Sequence, residues 1–376
     1  MIYFDNSATT RPYREVCEII AETAYSNFGN PSSLHTLGIE AERAVRHARQ
    51  VIAKEIGARE DEIYFTACGT ENANTAILGV ASRLRGRRII TTAVEHPCVL
   101  RPIEKLSKEG YEVIYLSVDE NGFVDQSELE AAVNGDTVLV CMMQVNNEVG
   151  SVTDLASAYR TVKRINPDAC FFADCVQAFG KIPVSAKNCD ILSLSAHKIH
   201  GPKGIGAMYI KKGTKINPFM LGGGQERGFR SGTENVSSIA GFGKAVELIG
   251  KKEENLRRMQ AVKDRLAQRI TAEIPNTVIN NTDFENSVPS ILNISFPGAR
   301  SEVILHFLEA EKIYVSSGSA CSSNKPGNSH VLTAMGKKHD IIDSSIRFSF
   351  CRENTVEQAD EAVEALKRIL PKIRRK

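Results

Sequence analysis

Short apolar runs and amphipathic stretches alternate along the first two thirds of the chain. Apolar runs of four to six residues recur at 62–66, 88–93, 112–116, 137–142, 169–173, 190–195 and 207–210. Their length and their content of Val, Ile and Phe suit strands buried on both faces. Between several of them the apolar positions take a helical period, as at 70–85 and 97–109. The alternation over residues 13–250 predicts an α/β unit with a largely parallel sheet. Ligands of such sheets gather beyond the carboxyl ends of the strands, so chemistry is sought there.

A long charged helix is predicted over 240–274, with 253–268 rich in Lys, Arg and Glu, as an exposed spacer would be. After it come strands near 290–295 and 346–350 and helices near 301–310 and 355–369. At 376 residues the chain is long for one core. The division expected is a large domain over 13–252 and a smaller α+β domain over 253–376, completed by residues 1–12. No internal repeat is visible.

Composition narrows the function. A formal charge of +2 gives no reason to expect nucleic acid as a direct ligand, and the basic stretch 367–376 reads as solvated surface. No basic-then-apolar leader opens the chain and no apolar run is long enough to span a bilayer, so a cytoplasmic protein without membrane contact is expected. The nine cysteines are scattered, with no C-x-x-C pair. That spacing suggests neither a zinc site nor a disulfide framework, and most should be reduced core residues.

The strongest local signal is Ser195-Ala196-His197-Lys198, which follows the apolar run 190–194 and precedes a Gly/Pro turn. A lysine fixed at a strand end can form a Schiff base with an aldehyde cofactor. Taken singly it is far more often a solvated lysine before a turn, and only its neighbours change that reading. The run 171–173 ends likewise in Asp174, with Gln177 one helical turn on. An ionised Asp there can keep a pyridine nitrogen protonated, and Gln177 can donate to a ring oxygen; by itself Asp174 also suits a helix N-cap. In Cys68-Gly69-Thr70 a strand, a glycine and a helix start aim backbone N–H groups at an anion. His96 closes the run 89–94 and could stack on a flat ring and shuttle protons. The stretches 201–206, 222–228 and 243–244 match no nucleotide-binding template. Segment 316–330 contains no large apolar residue and reads as an exposed, mobile loop, where Cys321 can become a nucleophilic thiolate.

In this order, these motifs resemble the cysteine desulfurases of the NifS/IscS type, a class V aminotransferase family within fold type I pyridoxal-phosphate enzymes. The resemblance also rests on 3–10, 28–33, 145–150, 230–233 and 345–349, and so spans essentially the whole chain. It implies a sulfurtransferase that turns L-cysteine into L-alanine, with pyridoxal 5'-phosphate on Lys198 and the sulfur leaving as a persulfide on Cys321. His96 would stack on the ring, Asp174 pair with its nitrogen and Gln177 with its phenolic oxygen. Thr70, Ser195 and His197 would hold the phosphate beside Gly69, with Thr233 contributed by the second subunit of a homodimer. Asn147 and Arg347 would grip the substrate carboxylate, although Asn146 is adjacent. The length of the Cys321 loop resembles the branch that hands sulfur to acceptor proteins, for iron–sulfur cluster assembly or tRNA thiolation. A selenocysteine lyase or another class V enzyme is the alternative. Cys98 and Cys175 stand where the family pattern leads one to expect small apolar residues.

Overall fold

The computed structural model describes residues 1–317 and 329–374. The chain opens with a short strand, β1 (Ile2–Tyr3), and two helices, α1 (Arg14–Ser26) and α2 (Thr36–Ile56). Strands and helices then alternate: β2 (Ile63–Thr66), α3 (Gly69–Ala81), β3 (Arg88–Thr92), α4 (Pro97–Lys108), β4 (Glu112–Leu116), α5 (Gln126–Ala132), β5 (Thr137–Met143), α6 (Leu155–Ile165) and β6 (Cys170–Asp174). β7 (Ile191–Ser195) and β8 (Gly206–Ile210) complete the main sheet, and α7 (Val236–Glu247) and α8 (Lys252–Glu273) lead onward. The remainder runs β9 (Val278–Ile279), β10 (Ile291–Ser295), α9 (Ser301–Ala310), β11 (Ile313–Tyr314), α10 (His330–Ala334), α11 (His339–Asp343), β12 (Ser345–Ser349) and α12 (Val356–Ile373).

Seven strands form one sheet in the order β2-β8-β7-β6-β5-β3-β4. Neighbours from β7 to β4 pair in parallel, and only β8 runs against both of its neighbours. All residues of β5, β6 and β7 are buried, as the apolar runs require of strands covered by helices on both faces. Each of these seven strands ends within one residue of its expected limits.

The expected single helix over 240–274 is instead two helices. Gly250 takes a left-handed conformation (φ +67°) that ends the first. Its last carbonyls find side-chain donors: Asn255 donates to Ile249 O at 2.8 Å and Arg352 to Leu248 O at 2.6 Å. α7 packs into the core through Val236, Ile239, Phe242, Ala245 and Val246, beneath α1 and α2. α8 does carry the charged face, yet it buries Met259, Val262, Leu266 and Ile270 along one stripe.

A separate apolar cluster forms around α8, α9, α12 and the antiparallel sheet β12-β10-β9. The N-terminus joins this cluster. β1 pairs in parallel with β11, and the fully buried Phe4 meets Phe348 and Phe350 edge-on at 6.5 and 5.2 Å. Residues 5–10 then leave that cluster and cross to the carboxyl edge of the large sheet, where Thr10 N and Oγ1 both donate to His197 O.

Candidate active site

The parallel strands converge on one cavity at their carboxyl ends. β2 delivers Cys68, Gly69 and Thr70, β3 delivers His96, and β5 leads to Met143, Val145 and Asn147. β6 supplies Asp174, Val176 and Gln177; β7 supplies Ser195, His197 and Lys198; Ala8 closes one side. Nine residues singled out in the sequence thus share one wall: Gly69, Thr70, His96, Asn147, Asp174, Gln177, Ser195, His197 and Lys198.

Lys198 Nζ donates to the backbone carbonyls of Ser7 at 2.5 Å and Ala8 at 2.8 Å. The amine is therefore held at the cavity wall by the N-terminal segment. Asp174 Oδ1 accepts from Val176 N at 3.0 Å, so the helix-capping reading and the cofactor reading of this residue coexist. Burial pushes its carboxyl up to about 6, against the pull of the Val176 N–H and of Lys198. Burial, then Lys198 and His330, lowers His96 to about 4, so its imidazole is neutral near pH 7. His96 Nδ1 accepts from Cys98 N at 3.1 Å, leaving the proton on Nε2. The same causes, burial first and then Lys198, bring His197 to about 4, with its Nδ1 3.1 Å from Thr9 Oγ1.

Two observations test whether an aromatic phosphate fits. Ser195 Oγ lines the cavity, buried and without a hydrogen-bond partner among the described residues. α3 begins in the same wall with no side-chain cap at Cys68, so its first N–H groups are open to an anion. At Gly69 a Cβ would sit 3.0 Å from Val176 Cγ2, another wall residue, so any larger residue there would have to push that side chain aside. The residues present fit the group.

Two expected site residues stand elsewhere, and a third is not among the described residues. Arg347, on β12, does not line the cavity; its Nη1 donates to Asn147 O at 2.9 Å and its Nη2 pairs with Asp5 at 3.0 Å, deeply buried. Truncating one member of such a pair costs about 3–5 kcal/mol. Thr233 lines a different cavity, with Thr66, Ala67, Gly204 and Arg230. Cys321 lies outside the described residues. The chain on either side of it is anchored close by: Ser316 bridges Arg347 through backbone bonds, and Ser329 Oγ donates to Glu148 at 2.5 Å.

The neighbouring asparagines separate cleanly. Asn147 faces the cavity, whereas Asn146 is buried and structural, donating to Val94 O and accepting from the N–H groups of Glu148 and Val149. The unexpected cysteines separate too. Cys98 faces the cavity with its thiol pushed well up by burial; Cys175 is buried and donates to Gln144 Oε1 at 3.3 Å.

The sequence reading missed Cys68 and Met143 in the wall, and Glu95 behind it. Glu95 is fully buried; its Oε1 accepts from Thr92 Oγ1 at 2.9 Å and Met143 N at 2.7 Å, and its Oε2 has no partner among the described residues. Its one sequence signal is its position just before His96 at a strand end.

The chain belongs to the aminotransferase class-V family, which it matches over residues 2–362. It is 44% identical over 378 residues to a cysteine desulfurase of Nostoc sp., covering all of this chain and 94% of that one. A solved NifS-like protein superposes with a TM-score of 0.93 at 40% identity, covering 99% of this chain and 100% of the other. A structure of SspA in complex with cysteine does so at 0.82 and 31% identity, over 93% of this chain and 99% of the other. Within the class-V family the chain falls among the cysteine desulfurases of NifS/IscS type, with the α/β fold of type I pyridoxal-phosphate enzymes.

Glu95 offers a test of the cavity's electrostatics. Burial first, opposed by the Met143 N–H and reinforced by Asp174, raises its carboxyl to about 8. A carboxyl raised above its unfolded value of about 4 contributes stability that is full below that value and lost as pH rises through about 8. Glu95→Gln mimics the neutral acid. Its melting temperature relative to the parent should therefore climb by a few degrees between about pH 5 and pH 8. A difference that stays constant over that range would mean Glu95 is charged throughout.

Proposed function

We propose that this chain is a pyridoxal-phosphate-dependent cysteine desulfurase that converts L-cysteine to L-alanine and carries the sulfur as a persulfide on Cys321. The observation that carries this reading is the convergence of Lys198, Asp174 and the Ser195 hydroxyl, which has no partner among the described residues, in one cavity, in a chain akin over its full length to named cysteine desulfurases.

In this reading Asp174 holds the pyridine nitrogen, Gln177 the phenolic oxygen and His96 a ring face. The phosphate is taken by the Gly69–Thr70 helix start, Ser195 and His197, with Thr233 entering from a second copy. Pyridoxal phosphate, when bound, supplies an electron sink for a carbanion at an amino acid's Cα. Lys198 Nζ takes the Cα proton of cysteine, while Asn147 and Arg347 fix the substrate carboxylate. Arg347 exchanges its bond to Asp5 or Asn147 O for that carboxylate, a change of partner rather than a new burial of charge. The Cys321 thiolate attacks the substrate sulfur: an S–S bond forms, the Cβ–S bond breaks, and Cβ is reduced by the electron pair it retains and takes a proton. His96, neutral near pH 7, moves protons beside the sulfur. The net change is L-cysteine plus the Cys321 thiol giving L-alanine plus the Cys321 persulfide.

A homodimer is part of the proposal. Tyr25, Phe28 and Leu34 beside α1 and α2, and Phe219 and Leu221 before α7, leave apolar surface exposed in the single chain, and Thr233 stands outside the cavity it is proposed to serve. The persulfide would pass to an acceptor protein, an iron–sulfur scaffold or a thiolation enzyme. A cytoplasmic location is supported by the eight unpaired cysteines among the described residues. None of the described helices is long and apolar enough to cross a membrane.

Given L-cysteine and a reductant, the purified protein should release sulfide and alanine in equal amounts. Cys321→Ala should remain yellow and lose both products by a factor of about 100 or more, as removal of a covalent nucleophile does. A Cys321→Ala variant with parental turnover would remove Cys321 from the chemistry. Sedimentation of the yellow protein should give a dimer of the 41.2 kDa chain; a fully active monomer would dispose of the shared phosphate site.

A further inference from the structure

Behind the cavity wall lies a buried lysine that the proposed chemistry does not use. Lys181 is 8% exposed and four residues beyond Gln177; its Nζ donates to Gln177 Oε1 at 2.9 Å. On the other side, Gln177 Nε2 donates to Ser7 O at 2.9 Å, the carbonyl that also accepts from Lys198 Nζ. Lys181 and Lys198 also face a second cavity together, on the reverse side from the first, with Tyr13, His200, Cys351 and Arg352.

A glutamine amide is normally free to flip, because its O and NH2 ends are alike in shape. Here both neighbours forbid it. As an ammonium, Lys181 can only donate, so the oxygen must face it; Ser7 O can only accept, so the NH2 must face that side. The reversed amide would set NH2 against the lysine and carbonyl against carbonyl, two repulsive contacts in a buried site. Nε2 carries two protons, and one goes to Ser7 O, leaving the other for an acceptor in the cavity that Gln177 lines.

We propose that Lys181 is a positioning residue of the cofactor site, pinning the Gln177 amide so that its NH2 is presented to the cofactor's phenolic oxygen. This rests on the reading that pyridoxal phosphate occupies the cavity. Charged and titratable groups around Lys181 are Lys198, Arg347 and Cys351, and both His197 and His200 feel its charge. Burial, then Lys198 and Arg347, lowers Lys181 to about 7. Ammonium and amine both donate, but only the ammonium cannot accept, so the pin is firmest while Lys181 is charged; Ser7 O enforces the same orientation in either state.

The test compares Lys181→Met, Lys181→Arg and Lys181→Gln with the parent, each stripped of cofactor and titrated with pyridoxal phosphate. Read out are the dissociation constant and the pH midpoint of the bound cofactor's absorbance. A phenolic oxygen that loses its donor makes the conjugated nitrogen more basic, so Lys181→Met should raise the midpoint by about one pH unit and weaken binding by about tenfold. Arg keeps a donor-only side chain and should stay near the parent on both readouts, whereas Gln, whose amide can also turn an oxygen toward Gln177, should fall between Arg and Met. In the Lys181→Met background, Gln177→Leu should add little, because the pin is already lost. A Met variant within twofold of the parent in affinity and with an unmoved midpoint overturns the proposal, as does an Arg variant impaired as much as Met. Should Lys181→Met fail to fold, the Arg variant still decides: a shifted midpoint in folded Lys181→Arg counts against the pin, and an unshifted one beside a shifted Lys181→Gln supports it. A parent protein that binds no pyridoxal phosphate fails the underlying function instead, a result distinct from any of these.

Discussion

Two backbone carbonyls hold the lysine on which the site depends. Ser7 O and Ala8 O receive Lys198 Nζ, and they belong to a segment rooted in a different core from the sheet that carries Lys198. Phe4 fixes the root among Phe348 and Phe350, and Thr10 fixes the far end on His197 O. Arg347 reinforces the same junction, reaching from β12 to Asp5 on the crossing segment and to Asn147 at the cavity. Apolar packing in one cluster thereby positions polar groups at the edge of the other. The site is as rigid as that junction.

Burial sets the electrostatics of the site. Burial pushes acids up, with Asp174 about 6, Glu148 about 7 and Glu95 about 8, and pushes bases down, with His96 and His197 about 4 and Lys181 about 7. Groups that would carry full charge in water are thus moved toward their neutral forms, Glu95 and the two histidines furthest. A bound aromatic cation paired with Asp174, and a phosphate at the α3 start, would restore charge to a site arranged to receive it.

Much of the fold was legible because the main sheet's strands are near-continuous apolar runs, whose period and length leave little choice. The error over 240–274 came from reading helical charge and period through Gly250, whose left-handed turn is set by Arg352 and Asn255 meeting the last carbonyls of α7. Lys198, Asp174, His96 and Gly69–Thr70 were readable because each follows a strand directly, and parallel strands bring their carboxyl ends to one edge. Glu95 and Lys181 were not. What distinguishes them is burial and a single partner, neither of which has a spacing in sequence. The choice between Asn146 and Asn147 likewise needed the turn in which Asn146 spends its side chain on the backbone.

The central claim is that Lys198 carries pyridoxal phosphate in the cavity at the strand ends. Borohydride reduction of the yellow protein, followed by proteolysis and mass mapping, tests it most directly, because reduction makes the cofactor's bond to its lysine permanent. The label should fall on the peptide containing Lys198 and on no other, and Lys198→Ala should take up none. A label on Lys181, which shares the second cavity with Lys198, or one scattered over surface lysines, would contradict the assignment of the site.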